Sequence, residues 1–363
     1  MSHNSRTSKV KQWINPRVQA MRAYSVPDAS GLIKLDAMEN PYSWPDGIKQ
    51  QWLADISSVE INRYPDPDAI SLKNKMREVL DIPENLTIML GNGSDELILL
   101  IALAMSRSDR TFLAPAPGFV MYEAITATTG AEFKSVSLNP DDFSLDSELM
   151  SAAIKQYNPA VIFIAFPNNP TGNLFDEAAI IEVINNAPGL VVLDEAYNIF
   201  SGKSFIGKLE EFDNCLLMRT FSKSGLAGLR LGYLVGSREW INELEKIRLP
   251  YNINSLSQKT SGFILENYEL LVDQATKIKA SRDKLFSQLS EIDGIHAWPS
   301  MANFILFRIL ENDSILIYEK LKKQGILVKD LDNHHPLLSN CLRVTVGTDE
   351  ENSAFIQALQ NSL

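Results

Sequence analysis

The chain has 363 residues, 45% of them hydrophobic and 22% charged, so it is long enough to bury a sizeable core without staples, and disorder over its whole length is excluded. Its 34 basic and 45 acidic side chains leave a net charge of −11, which speaks against sequence-independent nucleic-acid binding, a function of basic patches. Its two cysteines, Cys215 and Cys341, form no CxxC, which rules out a zinc ribbon or dithiol redox site and predicts two reduced, buried thiols in a cytoplasmic protein.

Residues 1–45 read as an N-terminal arm leading into a small lobe. The arm carries Arg6, Lys9, Lys11, Arg17 and Arg22 but no apolar stretch of the kind a secretory signal needs. From residue 46 onward, short apolar runs alternate with helical patterns. Strands are predicted over 87–90, 111–114, Val161–Ala165, Leu190–Asp194, 216–219 and 232–235, each rich in branched apolar residues and bounded by Gly, Pro or Asn. Helices fit 95–105 and 176–186, with Asp95 and Asp176 as caps or first-turn acids. This alternation predicts an α/β fold with a largely parallel sheet, and the uninterrupted apolar runs fit strands covered on both faces. The longest apolar run, 97–105, is too short to span a bilayer, so no membrane association is expected. After Pro250 the texture changes. A long helical pattern over 256–293 precedes a strand at 303–308, a helix at 314–324, strands at 326–329 and 341–346, and a helix from Glu350. The prediction is a large domain over 46–250 and a smaller α+β domain over 251–363.

Four segments carry chemistry. Gly91-Asn92-Gly93-Ser94-Asp95-Glu96 follows a strand and opens a helix, a nest of backbone N–H groups suited to a phosphate. It is no dinucleotide fingerprint, because Glu96 stands where the third glycine belongs. Likewise Ser201-Gly202-Lys203-Ser204 is no P-loop, because Tyr197 stands where its first glycine belongs. Pro167-Asn168-Asn169-Pro170-Thr171-Gly172 follows the Val161–Ala165 run, at the strand edge where ligands sit in open α/β sheets. Asp194 ends the next strand, with Tyr197 three residues on; a carboxylate there can serve a metal, a proton transfer or a cationic ring. The loop after 216–219 combines Ser222, Lys223 and Arg230 among glycines, where apolar neighbours and a second cation lower a lysine pKa and make it nucleophilic. No HExxH is present and no metal site is expected; the adjacent His334 and His335 read as loop surface.

Asn-Pro-Thr-Gly, Asp-Glu-Ala-Tyr and Ser-Lys, each after a strand, resemble the fold type I pyridoxal-phosphate enzymes, the aspartate-aminotransferase superfamily, over nearly the whole chain. The resemblance implies a large domain with a mostly parallel mixed sheet flanked by helices, and a smaller α+β domain. It implies pyridoxal 5'-phosphate bound covalently by Lys223, which also moves the substrate α-proton. Asp194 would pair with the pyridine nitrogen and keep it protonated. Asn169 and Tyr197 would bond the ring oxygen, and Phe119 would stack on the ring, a position where most relatives carry Tyr. Gly93, Ser94, Asp95, Ser222 and Arg230 would hold the phosphate.

Within the superfamily the chain most resembles the histidinol-phosphate aminotransferases, through Lys34-Leu35-Asp36-Ala37-Met38-Glu39-Asn40-Pro41-Tyr42, Arg63-Tyr64-Pro65-Asp66-Pro67 and Cys341-Leu342-Arg343-Val344-Thr345-Val346-Gly347. That likeness implies a homodimer with shared active sites, in which Tyr64 crosses to the neighbour's cofactor phosphate. Arg343 would fork onto the substrate carboxylate and Lys329, where many relatives have Arg, would take the substrate phosphate. Asn169 and Tyr24 would also line the substrate site. The implied reaction is transamination between an amino donor, histidinol phosphate, and a 2-oxo acid, 2-oxoglutarate, in histidine biosynthesis. An aromatic or broad-specificity aminotransferase and a threonine-phosphate decarboxylase are the alternatives.

Overall fold

Seven short strands make the central sheet. They are best described from a computed structural model that describes residues 9–21, 23 and 26–363. Strand β1 (Ile33–Lys34) stands apart from it. The large sheet comprises β2 (Thr87–Asn92), β3 (Thr111–Ala116), β4 (Glu132–Ser137), β5 (Val161–Ala165), β6 (Leu190–Asp194), β7 (Cys215–Thr220) and β8 (Leu231–Gly236) in the order β2-β8-β7-β6-β5-β3-β4. All its pairings are parallel except those of β8, which runs antiparallel to both β2 and β7. An antiparallel neighbour needs only a short connection. The chain therefore turns straight from β7 into β8, and that turn carries Lys223 and Arg230.

β5 and β6 are buried along their whole length, which is why their sequences read as unbroken apolar runs. Successive side chains point to opposite faces. Phe163, Val192 and Met218 pack with Leu97, Ile101 and Tyr122 on one face. Ile162, Ile164, Val191, Leu193 and Leu217 pack with Ile154, Ile180 and Val183 on the other. Each such side chain contributes about 1.5–3 kcal/mol on burial. β4 was not expected from sequence: Glu132, Lys134 and Ser135 keep it partly exposed at the sheet edge, so it lacks an apolar run.

A second sheet holds β9 (Ile295–Ala297), β10 (Phe304–Ile309), β12 (Lys329–Asp330) and β13 (Cys341–Thr345), ordered β12-β13-β10-β9 and antiparallel throughout. Helices Tyr268–Ser290, Ser314–Lys323 and Asp349–Gln360 cover it through Ile278, Leu285, Leu321, Phe355 and Leu359. The last of these helices starts in a capping box between Thr348 and Glu351. Two expectations change here. The helical run 256–293 is two helices, Ser255–Glu266 and Tyr268–Ser290, separated at Asn267, whose ψ of 33° breaks the α ladder. The run 326–329 splits between sheets: β11 (Ile326–Leu327) pairs with β1, while Lys329 begins β12. Cys215 and Cys341 are free and buried, and no described helix is long and apolar enough to cross a membrane.

Candidate active site

The C-terminal ends of β5, β6 and β7 open into a cavity of about 100 Å³ lined by Asn169, Asp194, Tyr197, Ser222, Lys223 and Arg230, with Ser94, Asp95 and Phe119 opposite. Alternation along β6 turns Asp194 to the same face as Leu190 and Val192. There the Tyr122 hydroxyl donates to its Oδ2 at 2.6 Å and the Ala196 N–H donates to Oδ1 at 3.1 Å. Burial raises the Asp194 pKa to about 6, against the pull of those two donors. Asn169 links two neighbours. Its Nδ2 donates to the Tyr197 hydroxyl at 3.1 Å, and its Oδ1 accepts from Arg343 Nη1 at 2.6 Å. Burial holds the Tyr197 hydroxyl well above its ordinary pKa, so it remains a proton donor.

Lys223 sits in a wide turn closed by the Leu226 N–H donating to Phe221 O. Its amine donates to the Ala37 carbonyl at 3.1 Å. Burial first, and then the Arg343 charge, lower its pKa to about 8, so a useful fraction is neutral and nucleophilic near neutral pH. Arg230 comes back to the same edge at the far end of the turn. Its Nη1 donates to Ser222 Oγ at 3.4 Å and its Nη2 pairs with Asp95 Oδ2 at 3.5 Å. Helix Ser94–Met105 points its N-terminus at this spot, so free N–H groups and a cation converge. Gly93 is required there: its φ is +85°, and a Cβ would lie 2.6 Å from Arg230 Nη2.

A second cavity of about 200 Å³ shares Met38, Phe119 and Asn169 with the first and adds Glu123, Lys329, His334, His335 and Arg343. Lys329 and Arg343 are direct partners across the β12–β13 ladder. Arg343 is anchored by Asn169, by donation from Nη2 to the Asp36 carbonyl at 3.0 Å, and by the Phe304 ring at 5.2 Å. Burial and the Arg343 charge lower the Lys329 pKa.

Thus Ser94, Asp95, Phe119, Asn169, Asp194, Tyr197, Ser222, Lys223 and Arg230 surround one space, with Gly93 packed against Arg230 at its edge, and Lys329 and Arg343 line the adjoining one. Tyr64 lines neither: it is 80% exposed and stacks on Tyr251 at 4.4 Å. Tyr24 lies outside the described residues. His334 and His335 lie in the loop between β12 and β13, His334 exposed and His335 half-buried, as the sequence predicts. Both line the second cavity, and His335 Nδ1 also accepts from the Leu337 N–H. Among the described residues no cluster fit for a metal ion occurs.

Sequence reasoning missed Tyr122 and the carbonyls of Asp36 and Ala37. Tyr122 is one helical turn beyond Phe119, a spacing that could have flagged it; nothing in the chain marks the two carbonyls. The donor set fits a phosphorylated aromatic aldehyde. It offers a nucleophilic amine, a buried carboxylate for a ring nitrogen, paired donors from Asn169 and Tyr197, and a cationic helix N-terminus for the phosphate.

Comparison with known proteins agrees. The family model described as aminotransferase class I and II matches residues 30–359. A protein of Nitrosococcus oceani named histidinol-phosphate aminotransferase 2 is 50% identical over 97% of this chain and 98% of its own. A protein of the same name from Cupriavidus pinatubonensis is 44% identical over 98% of each. In fold, the chain is similar to the solved histidinol-phosphate aminotransferase of Sinorhizobium meliloti in complex with pyridoxal-5'-phosphate. The TM-score is 0.85 at 22% identity, covering 96% of this chain and 97% of that one.

Proposed function

The chain belongs to the aminotransferase class I and II family, and from that premise we propose that it is a pyridoxal-phosphate transaminase. It interconverts histidinol phosphate plus 2-oxoglutarate with imidazole acetol phosphate plus glutamate. The observation that carries the reading is the convergence of Lys223, Asp194 and the Gly93–Arg230 cradle on one cavity that opens onto Lys329 and Arg343. The relatives named histidinol-phosphate aminotransferase 2, 50% and 44% identical over nearly their whole length, support the substrate.

The cofactor, when bound, supplies an electron sink for charge developing at the substrate α-carbon. Gly93, Ser94, Asp95, Ser222 and Arg230 hold its phosphate, and Phe119 covers the ring. Asp194 holds a proton on the ring nitrogen by its negative charge, oriented by Tyr122 and the Ala196 N–H. Asn169 and Tyr197 donate to the ring oxygen. Lys223 would hold the cofactor through its amine, and that amine would take and return the proton at the substrate α-carbon, a task suited to a pKa of about 8. Arg343 and Lys329 bind the acidic groups of the two substrates.

The working unit in this reading is a homodimer in the cytoplasm, with residues 46–250 forming the cofactor domain and 251–363 the small domain. Tyr64 reaches the partner subunit's cofactor phosphate. Its support is that Tyr64 is 80% exposed and stacks on Tyr251, with Ile61 at 81% and Leu249 at 70% exposed close to them in sequence.

The test is a screen of single amino donors against the cofactor-loaded protein, following loss of cofactor absorbance. Histidinol phosphate is expected to give the highest specificity constant. A preference for phenylalanine or tyrosine would make it an aromatic aminotransferase, and carbon dioxide release from threonine phosphate would make it a decarboxylase.

A further inference from the structure

We propose that Glu195 and Arg219 form a positioning pair on the face of the large sheet opposite the cavity, holding Asp194 and the 220–223 turn in place and neutralising the charge directly behind Asp194. The inference rests on the reading of Asp194 as the partner of the cofactor ring nitrogen, and it adds residues that touch neither cofactor nor substrate.

Strand alternation fixes which face each residue takes. Leu190, Val192 and Met218 belong to the Tyr122 side, where Asp194 also lies. Leu193, Leu217 and Tyr233 belong to the other side. Glu195 and Arg219, one residue on from Asp194 and Met218, meet on that second side. Glu195 is 0% and Arg219 6% exposed. Arg219 donates through Nε at 3.0 Å and Nη2 at 2.8 Å to Glu195 Oε2. The Ser204 hydroxyl donates to Glu195 Oε2 at 2.8 Å, and the Phe205 N–H donates to Oε1 at 2.6 Å. Burial pushes the pKa of Tyr233, which also bonds Arg219, upward.

The pair sits where the backbone ladder ends. Asp194 opposite Met218 is the last register of β6 and β7, and beyond it the Glu195 N–H still donates to Met218 O at 2.8 Å. From there one chain leads to Tyr197 and the other to Ser222 and Lys223. A buried ion pair is rarely a net source of stability compared with apolar residues of the same volume. Its position next to Asp194 suggests an electrostatic task. Asp194 faces the Tyr122 hydroxyl, Asp95 from helix Ser94–Met105, Tyr197, and Lys223 and Arg230 across the cavity. Behind it stands the Glu195 carboxylate, with Arg219 as the cation that cancels it and the Tyr233 and Tyr268 hydroxyls facing Arg219. Without Arg219, an uncompensated carboxylate charge next to Asp194 would favour its protonated form, and Asp194 already takes up a proton near pH 6. Protonated Asp194 no longer favours a protonated ring nitrogen.

The experiment uses Arg219→Met, Glu195→Gln and the double variant. Each is stripped of cofactor and titrated with pyridoxal phosphate from pH 5 to 9 to give the dissociation constant and the pH midpoint at which affinity falls. Arg219→Met should move that midpoint up by about one pH unit and weaken binding at pH 7. Glu195→Gln, leaving the arginine charge alone, should move it down. The double variant, with both charges gone, should return the midpoint close to wild type. Equal midpoints in all the variants, with additive losses of affinity, would reduce the pair to a structural part and overturn the proposal. Should Arg219→Met not fold, the downward shift in Glu195→Gln and the return in the double variant decide the matter alone. Asp194→Ala in parallel separates the two readings. If it binds cofactor as tightly as wild type, the role of Asp194 fails; if it binds weakly while the other midpoints stay still, only the pair proposal fails.

Discussion

Asp194 is a carboxylate whose burial works against its charged form and so costs the folded chain stability. Folded, it keeps a proton up to pH about 6, against an ordinary 3.8 for the unfolded chain. Between those values the folded state binds more protons, so stability falls as pH rises, and above pH 6 the full cost is present. A gap of that size corresponds to about 3 kcal/mol. Asp194→Asn removes the charge, and the Tyr122 hydroxyl can turn to accept from the new amide. The cofactor-free variant should therefore be more stable than cofactor-free wild type by up to about 3 kcal/mol at pH 8, with the gap closing below pH 4. Urea unfolding at both pH values measures it, and a variant less stable at pH 8 would contradict the argument. Lys329 makes a residue-scale prediction about substrate. Its cross-strand neighbour Arg343 is anchored to Asn169 and the Asp36 carbonyl, whereas Lys329 stands half-buried at the second cavity. A charge-assisted hydrogen bond contributes roughly 1.5–3 kcal/mol, so Lys329→Ala should lower the specificity constant for histidinol phosphate roughly 10- to 150-fold. The half-reaction with glutamate, which carries no phosphate, should change far less. Equal losses with both substrates would remove Lys329 from phosphate recognition.

At the scale of elements, the cradle proposed for the cofactor phosphate depends on how closely β8 approaches the start of helix Ser94–Met105. Gly232 in β8 pairs with Gly91 in β2, and a Cβ on Gly232 would lie 2.7 Å from both Gly93 C and Ser94 N. Those are backbone atoms, so the cradle itself must shift. Gly232→Ala should cost about 1–3 kcal/mol of stability and weaken binding of pyridoxal phosphate by a larger factor than binding of pyridoxal. Gly228→Ala is the control in the same turn: its Cβ would meet nothing within 4 Å, and both quantities should stay at wild-type values. Equal losses for the phosphorylated and unphosphorylated cofactor in Gly232→Ala would show that the collision does not reach the phosphate.

At the scale of the molecule, the question is whether one chain makes a complete site. Tyr64 lines neither cavity of its own chain and stands exposed, stacked on the exposed Tyr251. In the shared-site reading, a heterodimer of a Tyr64→Ala chain and a Lys223→Ala chain has one site with both lesions and one with neither. Mixing the two inactive variants should recover activity, up to half that of wild type per dimer. Verified heterodimers that stay inactive, with each single variant inactive alone, would mean that each chain supplies its own site.

The chain itself declared the elements that are buried on both faces and the residues whose chemistry is local. Val161–Ala165 and Leu190–Asp194 are legible because a strand covered on two sides needs an apolar residue at every position. Asn169, Asp194 and Ser222-Lys223 are legible as candidates because each lies at or just past the end of a strand, where a sheet places its ligands. The edge strand Glu132–Ser137 and the break at Asn267 were not legible, since an edge needs no apolar run and one deviant dihedral leaves the helical period almost intact. The remaining contacts join residues far apart in sequence. Tyr122 reaches Asp194, Lys223 reaches the Ala37 carbonyl, Arg343 reaches Asn169, and Lys329 stands opposite Arg343. Glu195 and Arg219 each look like an ordinary charged residue in the chain and become a buried pair only when β6 and β7 lie side by side. The sequence determined which groups the protein possesses and the local elements that carry them. Tertiary structure alone decided which groups face each other and how far water is excluded between them, because pairing register and burial, which set those distances and pKa values, are properties of the assembled sheets and not of any segment.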